Sequence, residues 1–309
     1  YGLGCATFTQ RPLAVVEAVT QYLDPFLRGR NVDQITDINQ AANMSSYWRN
    51  GPVLNNALSG VDMALWDLKG KQASMPVHDL LGGKCRMAAP VYVHASGNTI
   101  EETCERAGEL WQQGFRHVRL QVAVDGQATY GTKSDLQVAA EVDSPTNPHN
   151  LFEPADYVRL APKLFAAARD QLGDEIELLH DIHERLPGPL ALQLAKDLEP
   201  YRLFFLEDPL PPEEIDHFRL LRHHTHIPIA MGELFNNPNE FVPLIKERLI
   251  DFIRIHLSQV GGLTSSWKIA NLCEFFGVRT AWHGPGDTSP VGHMANLALD
   301  LACPNFGIQ

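Results

Sequence analysis

The chain has no excess of positive charge, no paired-cysteine motif and no long apolar run. Its 37 Asp and Glu outnumber 25 Lys and Arg over 309 residues, a formal charge of −12. A phosphate backbone or an anionic membrane surface is therefore repelled, and neither nucleic acid nor membrane is expected as a partner. A small anionic substrate stays open, because a bound cation reverses the local field. Five cysteines, Cys5, Cys85, Cys104, Cys273 and Cys303, are scattered, odd in number and without a C-x-x-C pair. They read as buried thiols in a reducing compartment, and a chain this long needs no disulfide scaffold. No segment approaches the ~20 apolar residues of a membrane helix, and no basic-then-apolar leader opens the chain, so the expected setting is the cytoplasm. The abrupt start at Tyr1-Gly2-Leu3-Gly4 and the close at Phe306-Gly307-Ile308-Gln309 lead us to expect a sequence incomplete at both ends.

What is present from about residue 88 is an extended run followed by an amphipathic helical run, repeated. The extended runs are 90–94, 117–122, 176–181, 203–207, 228–232, 251–256, 278–283 and 306–309. Their starts recur every 23 to 28 residues or so, with one gap near 60, which favours a ring of βα units over an open sheet. No G-x-G-x-x-G follows any of them, so a dinucleotide-binding sheet lacks its phosphate loop. The gap holds 124–154, rich in Gly, Asp, Ser, Thr, Asn and Pro, and reads as a lid or binding loop before a helix starting near Pro154. Residues 1–87 break the period. Amphipathic helices are expected over 13–26 and 54–71, the second with Leu58, Val61, Met63, Ala64, Leu65, Trp66 and Leu68 on its apolar face and Asp62, Asp67 and Lys69 outside it. This segment reads as a separate domain joined at Leu81-Gly82-Gly83-Lys84, with 88–309 forming the barrel.

Active sites of parallel barrels lie at the C-terminal strand ends. Asp181 and Glu207 end the third and fourth expected strands and Glu233 directly follows the fifth, each 26 residues from the next. Singly, each is as well explained as a helix cap or surface ion pair. Together, three converging carboxylates need a cation, and an all-oxygen set without cysteine favours one Mg2+.

The carboxylate set, the strand end Leu206-Glu207-Asp208-Pro209 and the helix Leu58-Ser59-Gly60-Val61-Asp62-Met63-Ala64-Leu65-Trp66-Asp67-Leu68-Lys69-Gly70 resemble the enolase superfamily over nearly the whole chain. That resemblance implies an α/β fold, a modified (β/α)7β TIM barrel with an α+β capping domain, and Mg2+ stabilising an enediolate after proton removal beside a carboxylate. The lysine subgroup's K-x-K is replaced by Arg119-Leu120-Gln121. The histidine-aspartate pairing has His283 but finds no aspartate in Ile253-Arg254-Ile255-His256.

Arg119, Tyr130 and His183, with Trp282-His283-Gly284-Pro285-Gly286-Asp287-Thr288-Ser289-Pro290, look like the mannonate dehydratase family within the superfamily. The resemblance implies that Tyr130 takes the C2 proton of a sugar acid, with Arg119 supplying the positive charge that a phenol of pKa ~10 needs to act as a base. His183, expected by strand parity to share a face with Asp181, would protonate the leaving 3-hydroxyl or brace a ligand carboxylate. His94, Arg254, His283, Asp287 and Glu233 are placed by the resemblance at the substrate, while the cluster His223, His224 and His226 reads as a solvated outer face. Thr9 stands where an asparagine contacting substrate is expected, which puts specificity in question.

The implied reaction is D-mannonate to 2-keto-3-deoxy-D-gluconate, in a homo-oligomer. Dehydration of D-gluconate or another aldonate, a regulatory protein of little activity, and an isomerase or aldolase remain alternatives.

Overall fold

The computed structural model describes residues 1–6, 8, 10–45, 47–124, 152–286 and 288–309. Thr9, Tyr130, Asp287 and nearly all of the expected loop 124–154 lie outside the described residues. The chain divides into two compact units, Val91–Ala230 and the combination of Tyr1–Pro90 with Met231–Gln309.

The unit Val91–Ala230 holds β1 (Tyr92–Gly97), β2 (His117–Val122), β3 (Glu177–Asp181), β4 (Phe205–Glu207) and the first two residues of β5 (Ile229–Met231). They pair in parallel and in chain order, with His94 opposite Arg119, Arg119 opposite Leu179, and Asp181 opposite Glu207. Helices Ile100–Gln112, Pro154–Leu172, Gly188–Leu198 and Ile215–His224 follow the strands. Leu164, Phe165, Ala168, Ala191 and Leu194 are fully buried, as are all of β4 and most of β2 and β3. Strands covered on both faces read as near-continuous apolar runs, which is why the sequence reveals them.

β1 is displaced from its expected position and runs to Gly97, so His94 sits mid-strand and not at its end. The strand stops where Thr99 caps the next helix, its hydroxyl accepting from Glu102 N at 3.2 Å. Gly97 is required there, since a Cβ would stand 2.7 Å from Thr103 N. The helix expected from Pro154 begins at that residue, and His223 and His224 lie exposed on the helix Ile215–His224.

In the other unit, the helix expected over 13–26 is a helix Pro12–Glu17, a π-helical stretch Ala18–Leu23 and a turn Asp24–Leu27. The long helix Pro52–Ala73 packs Met63 into a core with Cys5, Leu257, Leu263, Trp282, Leu299 and Phe306. Asp62, expected outside the apolar face, is instead buried. Its Oδ2 accepts from Thr264 N at 2.8 Å and its Oδ1 from Asn39 Nδ2 at 2.9 Å, so it satisfies the open start of the helix Leu263–Phe276. A carboxylate on an apolar stripe looks like a pattern error until that helix start is placed against it.

Strands 251–256 and 278–283 shorten to β6 (Phe252–Ile253) and β7 (Arg279–Thr280), which pair in parallel, and Phe306 joins Thr280 by a single bridge. Of the cysteines read as buried, Cys85 is exposed, its Sγ donating to Ala302 O at 3.1 Å; none is in a disulfide. No helix among the described residues is long and apolar enough to cross a membrane.

Candidate functional site

Strand alternation sorts the residues of β2 and β3 onto two faces. Arg119 and Asp181 share one face, while Leu120 and His180 share the other. On the first face, Arg119 Nη1 donates to Asp181 Oδ2 at 3.0 Å and to Glu207 Oε1 at 3.2 Å, and all three side chains are buried. Parallel register brings this about by setting Asp181 opposite Glu207.

Asp208 follows Glu207, and alternation alone would turn it away. Its backbone adopts φ +40°, however, and its amide donates to Ala230 O at 2.9 Å. Asp181, Glu207 and Asp208 consequently offer oxygens within 4.8 Å of one another. Three buried carboxylates beside Arg119 repel one another in a poorly solvated place, which is costly unless a cation or protons intervene. Asp181 Oδ1 is buried and accepts no hydrogen bond among the described residues, leaving a lone pair directed at no donor. An all-carboxylate donor set with an open oxygen fits a hard divalent cation such as Mg2+.

Two further side chains border this cluster. Tyr92 Oη donates to Glu207 Oε2 at 3.5 Å, and Arg119 Nη2 lies 3.3 Å from His94 Nδ1. On the helix side of β3, burial pushes the Tyr157 phenol up to about 12 and His180 down to about 4, so both are neutral near pH 7.

The other unit carries a second polar group. His283 Nε2 lies 3.1 Å from Glu233 Oε2, and His256 packs 5.6 Å from the His283 ring. Burial pushes His256 down to about 3, with the nearby His283 acting in the same direction. Its Nδ1 accepts from Ser258 N, so its Nε2 carries the proton and faces Thr288 Oγ1 at 3.3 Å. Arg254 is buried just beyond β6, its amide donating to Met231 O at 2.7 Å.

His183 is not on a strand. β3 ends at Asp181, and both His183 and Glu184 are left-handed, at φ +56° and +57°. Strand parity therefore does not carry His183 onto the face of Asp181, because alternation lapses where the extended backbone ends.

Asp208, Tyr92 and His256 were not singled out from sequence. Asp208 has a signal in hindsight: Glu207-Asp208-Pro209 joins two acids at a strand end where a left-handed residue re-aims the second. Tyr92 and His256 have none, since a buried aromatic or histidine is ordinary core material.

Two family models match: the mandelate racemase / muconate lactonizing enzyme N-terminal domain over residues 1–82 and the enolase C-terminal domain-like family over residues 102–309. A D-galactonate dehydratase family member of Musicola paradisiaca is 51% identical, the match covering 100% of this chain and 76% of that protein. Another, from Enterococcus gallinarum, is 49% identical over 100% of this chain and 75% of its own length. The crystal structure of an enolase from Pantoea ananatis with bound D-gluconate and Mg is 50% identical, with a TM-score of 0.93 over 100% of this chain and 77% of that one. The carboxylates of β3 and β4 thus lie in the α/β parallel-sheet fold of the enolase superfamily, and the chain belongs to the D-galactonate dehydratase family of that superfamily.

Proposed function

We propose that the chain is a Mg2+-dependent aldonate dehydratase. The observation that carries this reading is the buried pair Asp181 and Glu207, held 3.0 and 3.2 Å from one Arg119 nitrogen, with Asp181 Oδ1 still open. Asp181 and Glu207 would hold the ion, Asp208 adds charge beside them, and the sequence resemblance adds Glu233 as third ligand. When bound, the cation supplies Lewis acidity toward the negative charge that develops on a substrate carboxylate.

The chain's own residues divide the remaining work. Tyr130, assisted by Arg119, accepts the proton from C2. His183 delivers a proton to the 3-hydroxyl, so that the C3–O bond breaks with loss of water, and the enol left behind becomes the 2-keto acid. His94, Arg254, His283 and Asp287 contact the hydroxyls and carboxylate of the sugar acid, with Arg254 suited to a bidentate pair.

Among aldonates we favour D-gluconate or D-galactonate over D-mannonate. The Pantoea relative holds D-gluconate, and the curated relatives are named D-galactonate dehydratase family members. D-Mannonate, implied by the Tyr130 and Arg119 pattern, is the second reading. We further propose a cap over residues 1–87 and a barrel over 88–309, a symmetric homo-oligomer, and a cytoplasmic setting consistent with five unbridged thiols.

The test incubates purified protein and Mg2+ with D-gluconate, D-galactonate and D-mannonate and follows 2-keto acid formation. Turnover of at least one, lost in EDTA and reduced at least ~100-fold in Tyr130→Phe and in His183→Asn, is expected. No turnover of any aldonate, or variants as fast as the parent, would overturn the assignment.

A further inference from the structure

The side of β3 that faces away from the carboxylates carries a polar pair that the proposed chemistry does not use. His180 Nδ1 lies 3.0 Å from Leu120 O, which only accepts, so Nδ1 bears the ring proton. His180 Nε2 is then an acceptor, and Tyr157 Oη donates to it at 2.7 Å. Tyr157 stacks on the same imidazole at 26°, and Phe165 meets it edge-on at 5.2 Å. The Arg185 guanidinium covers the Tyr157 ring at 4.9 Å while its Nε donates to Ile182 O at 2.8 Å. Tyr157 and His180 are both buried.

Leucine and phenylalanine would fill this space without two polar groups to satisfy. The pair costs desolvation, and in return fixes one tautomer and one ring orientation. It joins β2, β3 and the helix Pro154–Leu172 at the residue preceding Asp181, where the strand gives way to the left-handed turn at His183. Beyond Asp181 the backbone is tied to the neighbouring segment by Ile182 N donating to Glu207 O at 3.0 Å and Glu184 N to Asp208 O at 2.9 Å, and the Tyr157–His180 pair adds support from the helix side.

We propose that Tyr157 and His180 form a positioning pair for Asp181, clamping the end of β3 from its helix side so that the carboxylate meets Mg2+ in one fixed orientation. This rests on the metal reading of the preceding subsection. Groups behind ligands commonly change metal affinity 10- to 100-fold when removed.

Calorimetric titration of metal-free protein with MgCl2 tests it without recourse to activity. Tyr157→Phe, which removes one oxygen and keeps the ring, is expected to raise the Mg2+ Kd about tenfold, with the melting temperature in EDTA lowered by only a few degrees. A merely structural role lowers the melting temperature and leaves the Kd of the folded protein unchanged; that result, with the parent binding Mg2+, overturns this inference alone. A parent that takes no Mg2+ overturns the metal reading and this inference with it. Should Tyr157→Phe not fold, nitrogen-15 NMR of histidine-labelled parent decides. His180 is expected to be protonated at Nδ1 only, and a proton at Nε2 overturns the pair.

Discussion

Nη1 of Arg119 lies 3.0 Å from Oδ2 of Asp181, and the same nitrogen reaches Glu207, so one buried cation ties together the ends of two neighbouring strands. Removing it takes away the positive charge that the two carboxylates share. Arg119→Met is expected to lose about 3–5 kcal/mol of stability in EDTA, the usual cost of breaking a buried pair from one side. Added Mg2+ should restore more stability to this variant than to the parent. Denaturant melts with and without Mg2+ measure both, and a variant within about 0.5 kcal/mol of the parent in EDTA would remove Arg119 from this role.

Binding of Mg2+ to the folded state alone raises stability by about 2.7 kcal/mol at 100 times its Kd. Asp181→Asn is expected to abolish that gain. Asp208→Asn should weaken the Kd by no more than about tenfold, worth about 1.4 kcal/mol, if Asp208 contributes charge and not a bond. A loss as complete as that of Asp181→Asn would make Asp208 a ligand and rewrite the set.

Asp300, on the helix Pro290–Ala302, is buried, and neither carboxylate oxygen has a hydrogen-bond partner among the described residues. Burial pushes its pKa up to about 8, against the opposing pull of Arg86. The folded acid therefore keeps a proton that the unfolded chain has released above its ordinary value near 3.8. Between about pH 4 and 8 the folded state binds more protons, so this group makes stability fall as pH rises through that window and level off above it. Asp300→Asn removes the titration. It should gain about 1–3 kcal/mol at pH 8 relative to the parent and flatten the profile. A stability profile with the parent's slope in the variant would assign the slope elsewhere.

The parts of this molecule legible in the sequence are those that depend on periodicity and spacing. β2 coincides with the expected run 117–122, and β3 and β4 end at Asp181 and Glu207 as expected, where apolar stretches give way to a carboxylate. Legibility fails where long-range contacts decide. β1 shifts because Thr99 and Gly97 meet the next helix. Asp62 is drawn inward by a helix start 202 residues away in sequence. Asp208 joins the acidic cluster through a left-handed φ that no alternation rule contains. His183 escapes strand alternation for the opposite reason: it lies two residues past the end of β3, in the left-handed region.

The contact between Asp62 and the helix Leu263–Phe276 supplies the last prediction. Gly262, at φ +97°, precedes that helix, and a Cβ there would stand 2.7 Å from Asp62 Oδ2. Gly262→Ala therefore meets both a disfavoured backbone conformation and a collision, and should cost about 2 kcal/mol or more. Asp62→Ala leaves Thr264 N without its acceptor and Asn39 Nδ2 with Gly261 O in place of two acceptors, and should cost about 1–3 kcal/mol. The two losses should not add: removing the carboxylate relieves the collision but not the φ strain, so the double variant is expected to be more stable than the sum by about 1 kcal/mol. Urea melts of the four proteins close the cycle. Strict additivity would mean that backbone conformation alone, and not the approach of the carboxylate, demands glycine at 262.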